Sequence, residues 1–408
     1  MYSSLELEII YMTYLKKSKP IDLIYVEGPG NIVESLKRWH IKEDFSVHTS
    51  INFSGQLFDF CKNNNLKTLA VSSGTKAKER VEFENFSAFG KPKIMINGSL
   101  GYHLSQTLYG LYIIGLCLRY RPKYLHITSG VTHWFVLAPI KLIGVKIFPH
   151  FHNTFWAKGF PPSGKIKLLL LKLDAWFLKY IAAGAACCSL EIKRQIEEIT
   201  QNKNCPIFVF KPQFYRKTFE NYLPPLITNK PFSIVFAGRI ESDKGIFDIL
   251  MMAEKLKDEN VIFHICGDGS ERILLRDKCK NLGLENQVVV YGGLERSELL
   301  TVYQKGHAII VPTRSEFPEG FAMTAVESIL IDRPVITSEI VPALELLRSA
   351  CVEAQPNDVE SYVGVIKNLM SDYAYYKEKQ NACLLLKEQF LDGKEGLTKI
   401  LENTLIAN

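Results

Sequence analysis

Residues 232–245, FSIVFAGRIESDKG, contain a short apolar run, a glycine, four charged residues and a second glycine. The run FSIVFAG has the length and the β-branched content of a buried strand, and the residues after the loop follow a helical period to about residue 257. The runs VIFHICG, QVVVYGG, HAIIVPT and PVITS come next, and helical patterns separate them. This alternation predicts βα units around a parallel sheet.

The N-terminal half shows a looser version of the same rhythm, in IDLIYVEGPGN, LKTLAVSSG, YLHITSG and VKIFPHFHN. Between the halves, YRKTFENYLPPLITNKPF has three prolines and no clear period, which is typical of a linker. We therefore predict an α/β chain of two Rossmann-like, doubly wound domains facing a central cleft. The predicted parts are an N-terminal domain over residues 1–217, a linker over 218–231, a C-terminal domain over 232–385, and a tail helix over 386–408 that packs back on the N-terminal domain.

Composition excludes several classes of protein. The 408 residues carry a net charge of only +6, which is too small to indicate nucleic-acid binding. Nine cysteines without a C-x-x-C pair indicate neither a disulfide framework nor a zinc site, so we expect a reducing, cytoplasmic environment. The first residues do not have the pattern of a signal peptide, and the apolar runs are too short to span a bilayer.

The loop GRIESDKG carries two cations, Arg239 and Lys244, five residues apart. Ligands of an open parallel sheet bind at the carboxyl ends of its strands, and this loop follows the first predicted strand of the C-terminal half. The helix after the loop has free N–H groups that favour an anion. The pair would suit a diphosphate, with both side chains exposed. Solvated loop charges are the alternative.

The segment EFPEGFAMTAVES places Glu319 and Glu327 eight positions apart. Glu319 begins a helix, where a carboxylate can simply interact with the helix dipole. Glu327 lies in FAMTAVESILI, which is apolar on nearly every face, and an unpaired carboxylate is costly to bury there. It therefore needs hydroxyl or cation partners. Eight residues of helix separate the two carboxylates by about 12 Å, a distance that one chain of ligand hydroxyls could span.

The segments GRIESDKG, CGDGSE, YGGLERSEL, VPTRSEFPEGFAMTAVES and RPVIT resemble the C-terminal half of GT-B retaining glycosyltransferases of family GT4, glycosyl transferases group 1. The resemblance implies transfer of a sugar from a nucleotide diphosphate sugar to an acceptor hydroxyl, in cell-surface polysaccharide or glycolipid assembly. It implies that the N-terminal domain binds the acceptor and the C-terminal domain the donor. By position, Arg239 and Lys244 would hold the diphosphate, Glu319 the donor sugar and Glu327 the ribose.

The N-terminal half resembles the family through EGPGN, HITSGVTHW and PHFHN. His152 would hydrogen-bond the transferred sugar or the acceptor; a structural histidine is the alternative, and His150, on the same side of the strand, competes with it. The resemblance thus assigns catalysis to Arg239, Lys244, Glu319 and His152. It assigns donor binding to Gly28, Gly30, Gly238, Gly267, Gly320, Phe321, Ala322 and Glu327.

Two positions depart from the family pattern, because Ala322 and Asp332 stand where glycine is usual. Alanine is tolerated unless its φ must be positive, and aspartate adopts left-handed conformations better than most residues. These departures leave a non-catalytic sugar-nucleotide-binding subunit as one alternative function, and a GT-B sugar-nucleotide epimerase is another. No Asp-x-Asp occurs in the chain, so no metal site and no cofactor besides the donor are predicted.

Residues 165–180, KIKLLLLKLDAWFLKY, place Lys165, Lys172 and Lys179 on one helical face. A basic amphipathic helix can lie on an anionic membrane, and the neighbouring Trp156 and Lys158 favour that interpretation. The alternative is a helix that packs its apolar face on its own sheet. The predicted partners are a nucleotide-sugar donor, a glycan or lipid-linked acceptor and the inner face of the cell membrane, with no nucleic acid.

Overall fold

The computed structural model describes residues 20–42, 49–74, 79–391, 393 and 395–406. The first 19 residues, for which the sequence predicts no signal peptide, lie outside this description. The described residues form two β-sheets with helices packed against them, which confirms the predicted α/β class. None of the described helices is both long enough and apolar enough to cross a membrane.

The N-terminal sheet has the spatial order β3-β4-β2-β1-β5-β6-β7-β8 among the described residues. Its strands are β1 (Leu23–Glu27), β2 (Thr68–Ser72), β3 (Arg80–Phe83), β4 (Phe86–Gly90), β5 (Tyr124–Thr128), β6 (Lys146–Phe151), β7 (Ala185–Cys187) and β8 (Ile207–Val209). Its helices are α1 (Ile32–His40), α2 (Phe53–Asn63), α3 (Gly98–Tyr120), α4 (Lys165–Tyr180) and α5 (Leu190–Thr200), with a 3-10 helix at Trp134–Ile143. All strand pairs are parallel except the hairpin of β3 and β4.

The C-terminal sheet is parallel, with the order β11-β10-β9-β12-β13-β14. Its strands are β9 (Phe232–Ala237), β10 (Val261–Cys266), β11 (Val288–Gly292), β12 (Ala308–Val311), β13 (Val335–Ser338) and β14 (Cys351–Ala354). Its helices are α6 (Ile246–Lys255), α7 (Arg272–Asn281), α8 (Arg296–Lys305), α9 (Met323–Leu330), α10 (Leu344–Leu347), α11 (Val359–Ser371) and α12 (Tyr373–Leu386). Strands β9, β12 and β13 are buried almost throughout, as expected for parallel strands covered on both faces.

Strand order decides where each sheet can bind a ligand. In the C-terminal sheet the chain moves from β9 to β10 on one side and later to β12 on the other. In the N-terminal sheet it leaves β1 for β2 on one side and later adds β5 on the other. The loops at the carboxyl ends of such strand pairs separate and leave a crevice. The loops after β9 and β12 are therefore the ones that can enclose a ligand in the C-terminal domain.

The segment between the sheets is held by a buried arginine. Arg333 is 0% exposed, and its guanidinium donates to the carbonyls of Tyr222 at 2.7 Å and Leu223 at 3.0 Å, both in the predicted linker. It also donates to the carbonyls of Gln304 and Gly306, each at 3.2 Å. The linker is thus fixed to the C-terminal domain at its first half.

The end of the chain returns to the N-terminal domain. The Leu397 N–H donates to the side-chain oxygen of Gln56 at 2.8 Å, and the Thr398 hydroxyl donates to the Gln56 carbonyl at 2.9 Å. The predicted single helix over 386–408 is wrong, because α12 ends at Leu386 and the next α-helix, α13, spans only Leu397–Leu401. Gly393, with a φ of +78°, lies between them, and glycine is unfavourable inside a helix.

Helix α4 spans the predicted range, but only the C-terminal half of its apolar face is buried, through Ala175, Phe177 and Leu178. Ile166 and Leu169 in its first half are exposed. The two neighbouring residues that favour the membrane interpretation have other contacts: Trp156 is buried, and Lys158 donates to the carbonyl of Glu339 in the C-terminal domain at 2.8 Å. These two residues therefore give the membrane prediction no support, because the loop that carries them contacts the other domain.

Candidate active site

Close backbone contacts at two glycines bring the C-terminal loops together. Gly245, which precedes the first residue of α6, has a φ of +75°, and a Cβ there would lie 2.1 Å from the Pro312 carbonyl oxygen in the loop after β12. Gly267, after β10, has a φ of +138°, and its Cβ would lie 1.8 Å from the Gly238 carbonyl oxygen. No side chain fits at either position, so three loops can approach within backbone contact.

Lys244 and Glu319 form an ion pair. The Lys244 ammonium lies 2.6 Å from Glu319 Oε2, which also accepts from the Thr313 hydroxyl at 3.1 Å. Their side chains are only 16% and 11% exposed, so the prediction that Lys244 is exposed is wrong. The physical reason is Phe317, whose ring centroid lies 3.8 Å from Lys244 Nζ and 5.5 Å from the guanidinium carbon of Arg239. One aromatic ring therefore orients both cations.

Glu327 is buried in α9 and has a hydroxyl partner on each oxygen. The Tyr303 hydroxyl donates to Oε2 at 2.5 Å, and the Thr49 hydroxyl of the N-terminal domain donates to Oε1. Burial raises the pKa of Glu327, while the hydrogen bonds from Thr49 and Tyr303 oppose that rise. The hydroxyl partners that the sequence requires are thus present within the protein, and one of them links the two domains.

Two cavities are lined in part by the turn after β9. The first has a volume of about 400 Å³ and is lined by residues that include Gly267, Asp268, Leu294 and Glu327. The second has a volume of about 190 Å³ and is lined by residues that include Lys244, Thr313, Glu319 and Ala322. Four residues line both cavities: Ala237, Gly238, Arg239 and Thr324. The two carboxylates therefore open into different cavities, with Arg239 at their junction.

His152 meets the C-terminal domain through its backbone. A Cβ on Gly320 would lie 1.8 Å from the His152 carbonyl oxygen, so glycine permits this close contact between domains. The His152 ring is 4.6 Å from the ring of Phe53 and 4.0 Å from that of His150. Burial lowers the pKa of His152 to about 4, which leaves the ring neutral at pH 7.

His150 occupies a different environment. It is completely buried, and its Nδ1 lies 3.2 Å from Nε2 of His126 on the adjacent strand. Burial lowers the pKa of His150 well below its usual value. Of the two histidines that the sequence leaves open, His150 therefore belongs to the interior of the sheet, and His152 lies at the domain boundary.

The remaining predicted donor-binding residues separate into two groups. Gly28 and Gly30 follow β1 in the N-terminal domain, and neither belongs to the lining of the two cavities. Phe321 is buried, and its carbonyl accepts from the Ala343 N–H at 3.1 Å, so it anchors the loop that carries Gly320. Four further residues of the site were not predicted from the sequence: Thr49, Tyr303, Thr313 and Phe317.

Both departures from the family glycines fall at positions of positive φ. Ala322 has a φ of +73° and precedes the first residue of α9. Asp332 has a φ of +59°, and its carboxylate lies 3.1 Å from the Lys387 ammonium. Alanine is poorly tolerated at a positive φ, and Ala322 has one. Asp332 also has a positive φ, but aspartate adopts this conformation more readily and its carboxylate has an ion-pair partner.

Ala322→Gly is expected to raise the free energy of unfolding by about 1 kcal/mol, because glycine removes the steric cost of the left-handed conformation. Urea unfolding monitored by circular dichroism measures the change. Ala325→Gly, three residues later inside α9, is the matched control and should lower the same free energy by about 1 kcal/mol. Equal destabilisation by both substitutions would contradict a strained Ala322.

Within the described ranges, no group of three or more histidine, cysteine, aspartate or glutamate side chains is arranged to hold a metal ion.

The part of the chain that carries this site is similar to known proteins. Residues 220–383 match the family model of glycosyl transferases group 1. A glycogen synthase of Mycobacterium tuberculosis (strain CDC 1551 / Oshkosh) is 23% identical over 320 residues, which cover 76% of this chain and 75% of the relative.

Solved structures of similar shape cover nearly the whole chain. Sucrose-phosphate synthase from Thermosynechococcus elongatus superimposes with a TM-score of 0.71 at 14% identity, covering 95% of this chain and 99% of that one. Anabaena Alr3699/HepE in complex with UDP gives a TM-score of 0.67 at 14% identity, covering 95% of this chain and 100% of that one. The chain therefore has the GT-B fold, and its residues 220–383 are similar in sequence to the glycosyl transferases group 1.

Proposed function

We propose that this protein is a retaining glycosyltransferase that transfers a sugar from a nucleotide diphosphate sugar to an acceptor hydroxyl. One observation carries the proposal: Arg239 lies at the junction of two cavities, with Glu327 in the larger and Glu319 in the smaller. A nucleotide sugar has the same order of parts, a nucleoside, a diphosphate and a sugar. In this assignment Glu327 accepts from ribose hydroxyls and Glu319 from hydroxyls of the transferred sugar.

The diphosphate would lie between the cations and the start of α6. Arg239 and Lys244 both contact the Phe317 ring, which holds them in place before the donor arrives. The free N–H groups at the N-terminus of α6 add a further favourable interaction with an anion. Positioned donors of this kind stabilise the charge that develops on a departing diphosphate without further reorganisation.

The acceptor would approach from the N-terminal domain, past His152. The neutral His152 ring can hydrogen-bond a sugar hydroxyl without carrying charge. Transfer with retention requires the acceptor to approach on the face that the diphosphate leaves, and we propose that the departing phosphate accepts the acceptor proton. Neither a metal ion nor a cofactor has a role in this proposal.

The proposed biological setting is assembly of a cell-surface polysaccharide or glycolipid at the inner face of the cell membrane, with α4 in contact with anionic lipid. A UDP-sugar is the first donor to test, because the similar HepE structure contains UDP. A GT-B epimerase that uses no acceptor, and a subunit that binds a sugar nucleotide without reaction, are the competing functions.

A panel of nucleotide sugars incubated with extracted lipid and glycan acceptors tests the proposal, with mass spectrometry of product and of released nucleotide. We expect nucleotide release that depends on acceptor and persists in excess chelator. Release or isomerisation without acceptor would support the epimerase, and binding without any reaction would support the non-catalytic subunit. Either result would refute the transferase.

Substitutions of the two carboxylates are expected to change the affinity for free UDP differently. Glu327→Gln should weaken UDP binding about tenfold, because charge-assisted bonds of about 1.5 to 3 kcal/mol become neutral ones of about 1 kcal/mol. Glu319→Gln should leave UDP binding nearly unchanged and lower turnover, since free UDP lacks the transferred sugar. Calorimetric titration measures both affinities.

Thr49→Ala is the matched control for the titration, because it removes a protein hydroxyl from Glu327 and keeps the carboxylate. It should not weaken UDP binding. If Glu319→Gln weakens UDP binding and Glu327→Gln does not, the two carboxylate roles are reversed.

A further inference from the structure

The N-terminal domain contains a long stretch without acidic residues. Residues 85–173 include no aspartate or glutamate, although the whole chain has 43, and they include eleven lysines and arginines. The next acid, Asp174, is largely buried, and its Oδ1 accepts from the Phe135 N–H at 3.4 Å. The positive charges of this part of the domain are therefore not balanced by acidic residues of the same segment.

The same stretch carries an exposed apolar helix face. Along α3, five leucines at helical spacing are between 37% and 81% exposed. They are Leu100, Leu104, Leu108, Leu111 and Leu118. The opposite face packs into the core through residues such as Ile113 and Cys117, and no lysine, arginine, aspartate or glutamate occurs from 94 to 118. Such a helix is apolar on its outer face as well as on its inner one.

Other exposed apolar side chains extend this face. The 3-10 helix Trp134–Ile143 contacts both α3 and α4 and therefore lies between them. Leu142 at its end is 89% exposed, and Ile166 and Leu169 of α4 are also exposed. We use the term apolar face for the exposed leucines of α3 together with Leu142, Ile166 and Leu169. Apolar area surrounded by cations is complementary to an anionic bilayer rather than to water.

Three nitrogen bases cluster at one end of the apolar face. The Lys93 ammonium donates to the Gly130 carbonyl at 2.8 Å and to Gln106 of α3 at 3.1 Å. One turn earlier on α3, Nδ1 of His103 lies 3.1 Å from Nε2 of His133. Burial lowers the pKa of Lys93 to about 8, and burial together with His103 and Lys93 lowers the pKa of His133.

The base cluster of Lys93, His103 and His133 has neutral partners only, among the described contacts of these side chains. Three partly buried bases repel each other when protonated, and an anion would relieve that repulsion. A phosphate is suited to the cluster, because it accepts several charge-assisted hydrogen bonds at once.

The base cluster lies between the apolar face and the cleft. Gly130, whose carbonyl binds Lys93, follows Ser129, whose hydroxyl accepts from the His152 N–H at 3.3 Å. On the other side, His103 is flanked along α3 by the exposed Leu100 and Leu104. A molecule with its phosphate at the base cluster can therefore reach the bilayer at one end and the candidate catalytic site at the other.

We propose that the acceptor is a membrane amphiphile whose phosphate binds Lys93, His103 and His133 while the apolar face of α3 and α4 lies in an anionic bilayer. This inference rests on the proposed transferase function, because it names the acceptor class of that reaction. It places the acceptor hydroxyl beyond the phosphate, on the side of His152. A free phosphate compound without a lipid chain would bind the same cluster but would make no use of the apolar face.

Vesicle cosedimentation tests the proposal with three probes: phosphatidylcholine vesicles containing dodecyl phosphate, the same vesicles containing dodecanol, and inorganic phosphate as a soluble competitor. We expect the protein to prefer dodecyl phosphate by about tenfold, which corresponds to roughly 1.4 kcal/mol. Replacement of Lys93, His103 and His133 by glutamine should abolish this preference. Leu104→Ser with Leu108→Ser and Leu111→Ser should reduce binding to both kinds of vesicle.

Matched controls are Lys257→Gln for charge and Leu385→Ser for apolar exposure, both at exposed positions of the C-terminal domain. Neither should change vesicle binding. A preference for dodecyl phosphate that survives the triple glutamine substitution would overturn the base cluster as the phosphate site. If the protein binds inorganic phosphate but does not prefer dodecyl phosphate vesicles, the bound phosphate does not belong to a lipid. If the protein self-associates through the leucines and does not bind vesicles, the apolar face does not lie in a bilayer.

Calorimetry with UDP on the same variants separates this inference from the transferase proposal. The triple glutamine variant should bind UDP like the unmodified protein, which also shows that it is folded. Failure of the unmodified protein to bind any nucleotide or nucleotide sugar would refute the proposed function, whereas loss of the vesicle result alone would refute only the acceptor class.

Discussion

Lys244→Ala is expected to lower kcat by a factor of about 10² to 10³, the effect of removing one positioned donor from a developing charge. The structure strengthens this expectation, because Lys244 lies mostly buried between Phe317 and Glu319 and so has little freedom to reorganise. Arg239→Ala is expected to have an effect of the same order, since Arg239 lines both cavities. Turnover at saturating donor, measured by nucleotide release, gives kcat for each variant.

A double variant shows whether Lys244 binds the diphosphate or only orients Glu319. If Lys244 acts only by orienting Glu319, then Lys244→Ala combined with Glu319→Gln should be no slower than Glu319→Gln alone. If Lys244 binds the diphosphate, the double variant should be slower than either single one. Lys257→Ala, at an exposed position, is the control. A kcat near the unmodified value for Lys244→Ala would remove this residue from the proposed mechanism.

Arg333→Ala is expected to lower the free energy of unfolding by about 3 to 5 kcal/mol. The arginine is fully buried and donates to carbonyls of the linker, of the last turn of α8 and of Gly306. Alanine would leave these carbonyls without their donor and would create a cavity of the size of the lost side chain. Chemical unfolding measured by far-ultraviolet circular dichroism gives the change directly.

Arg348→Ala is the control for Arg333→Ala, because Arg348 is 60% exposed and forms an ion pair with Glu353. It should change the free energy of unfolding by less than about 1 kcal/mol. Similar small effects of both substitutions would mean that the linker does not depend on Arg333. Limited proteolysis within 218–231 should also increase for Arg333→Ala if the linker is released.

Local sequence patterns were sufficient for the elements that are buried on both sides. The runs that predicted strands in the C-terminal half correspond to β9 through β13. In a chain of βα units, a short continuous apolar run bounded by glycine or proline usually forms a buried parallel strand. The hairpin of β3 and β4 was missed. The exposed and partly exposed residues that alternate along β3 give only a weak signal, and β3 is an edge strand.

Single residues show the same difference between what the local sequence predicts and what tertiary contacts decide. The apolar surroundings of Glu327 in the sequence were enough to require hydroxyl partners for its carboxylate. They could not identify Tyr303 on α8 or Thr49, 278 residues away in the other domain. The spacing of His150 and His152 placed both rings on one side of a strand. Only the neighbouring strand, which brings His126 to His150, distinguishes the buried ring from the one at the domain boundary.

By itself, therefore, the sequence determined the βα rhythm, the parallel sheets and the demand for partners at a buried charge, since these depend on residues close together in the chain. The tertiary structure alone decided the exposure of Lys244, the positive φ of Ala322, the contact of Lys93 with Gly130 and the contact of His103 with His133. These features depend on strand order and on loops from distant parts of the chain, whose approach is set by packing and cannot be deduced from local periodicity.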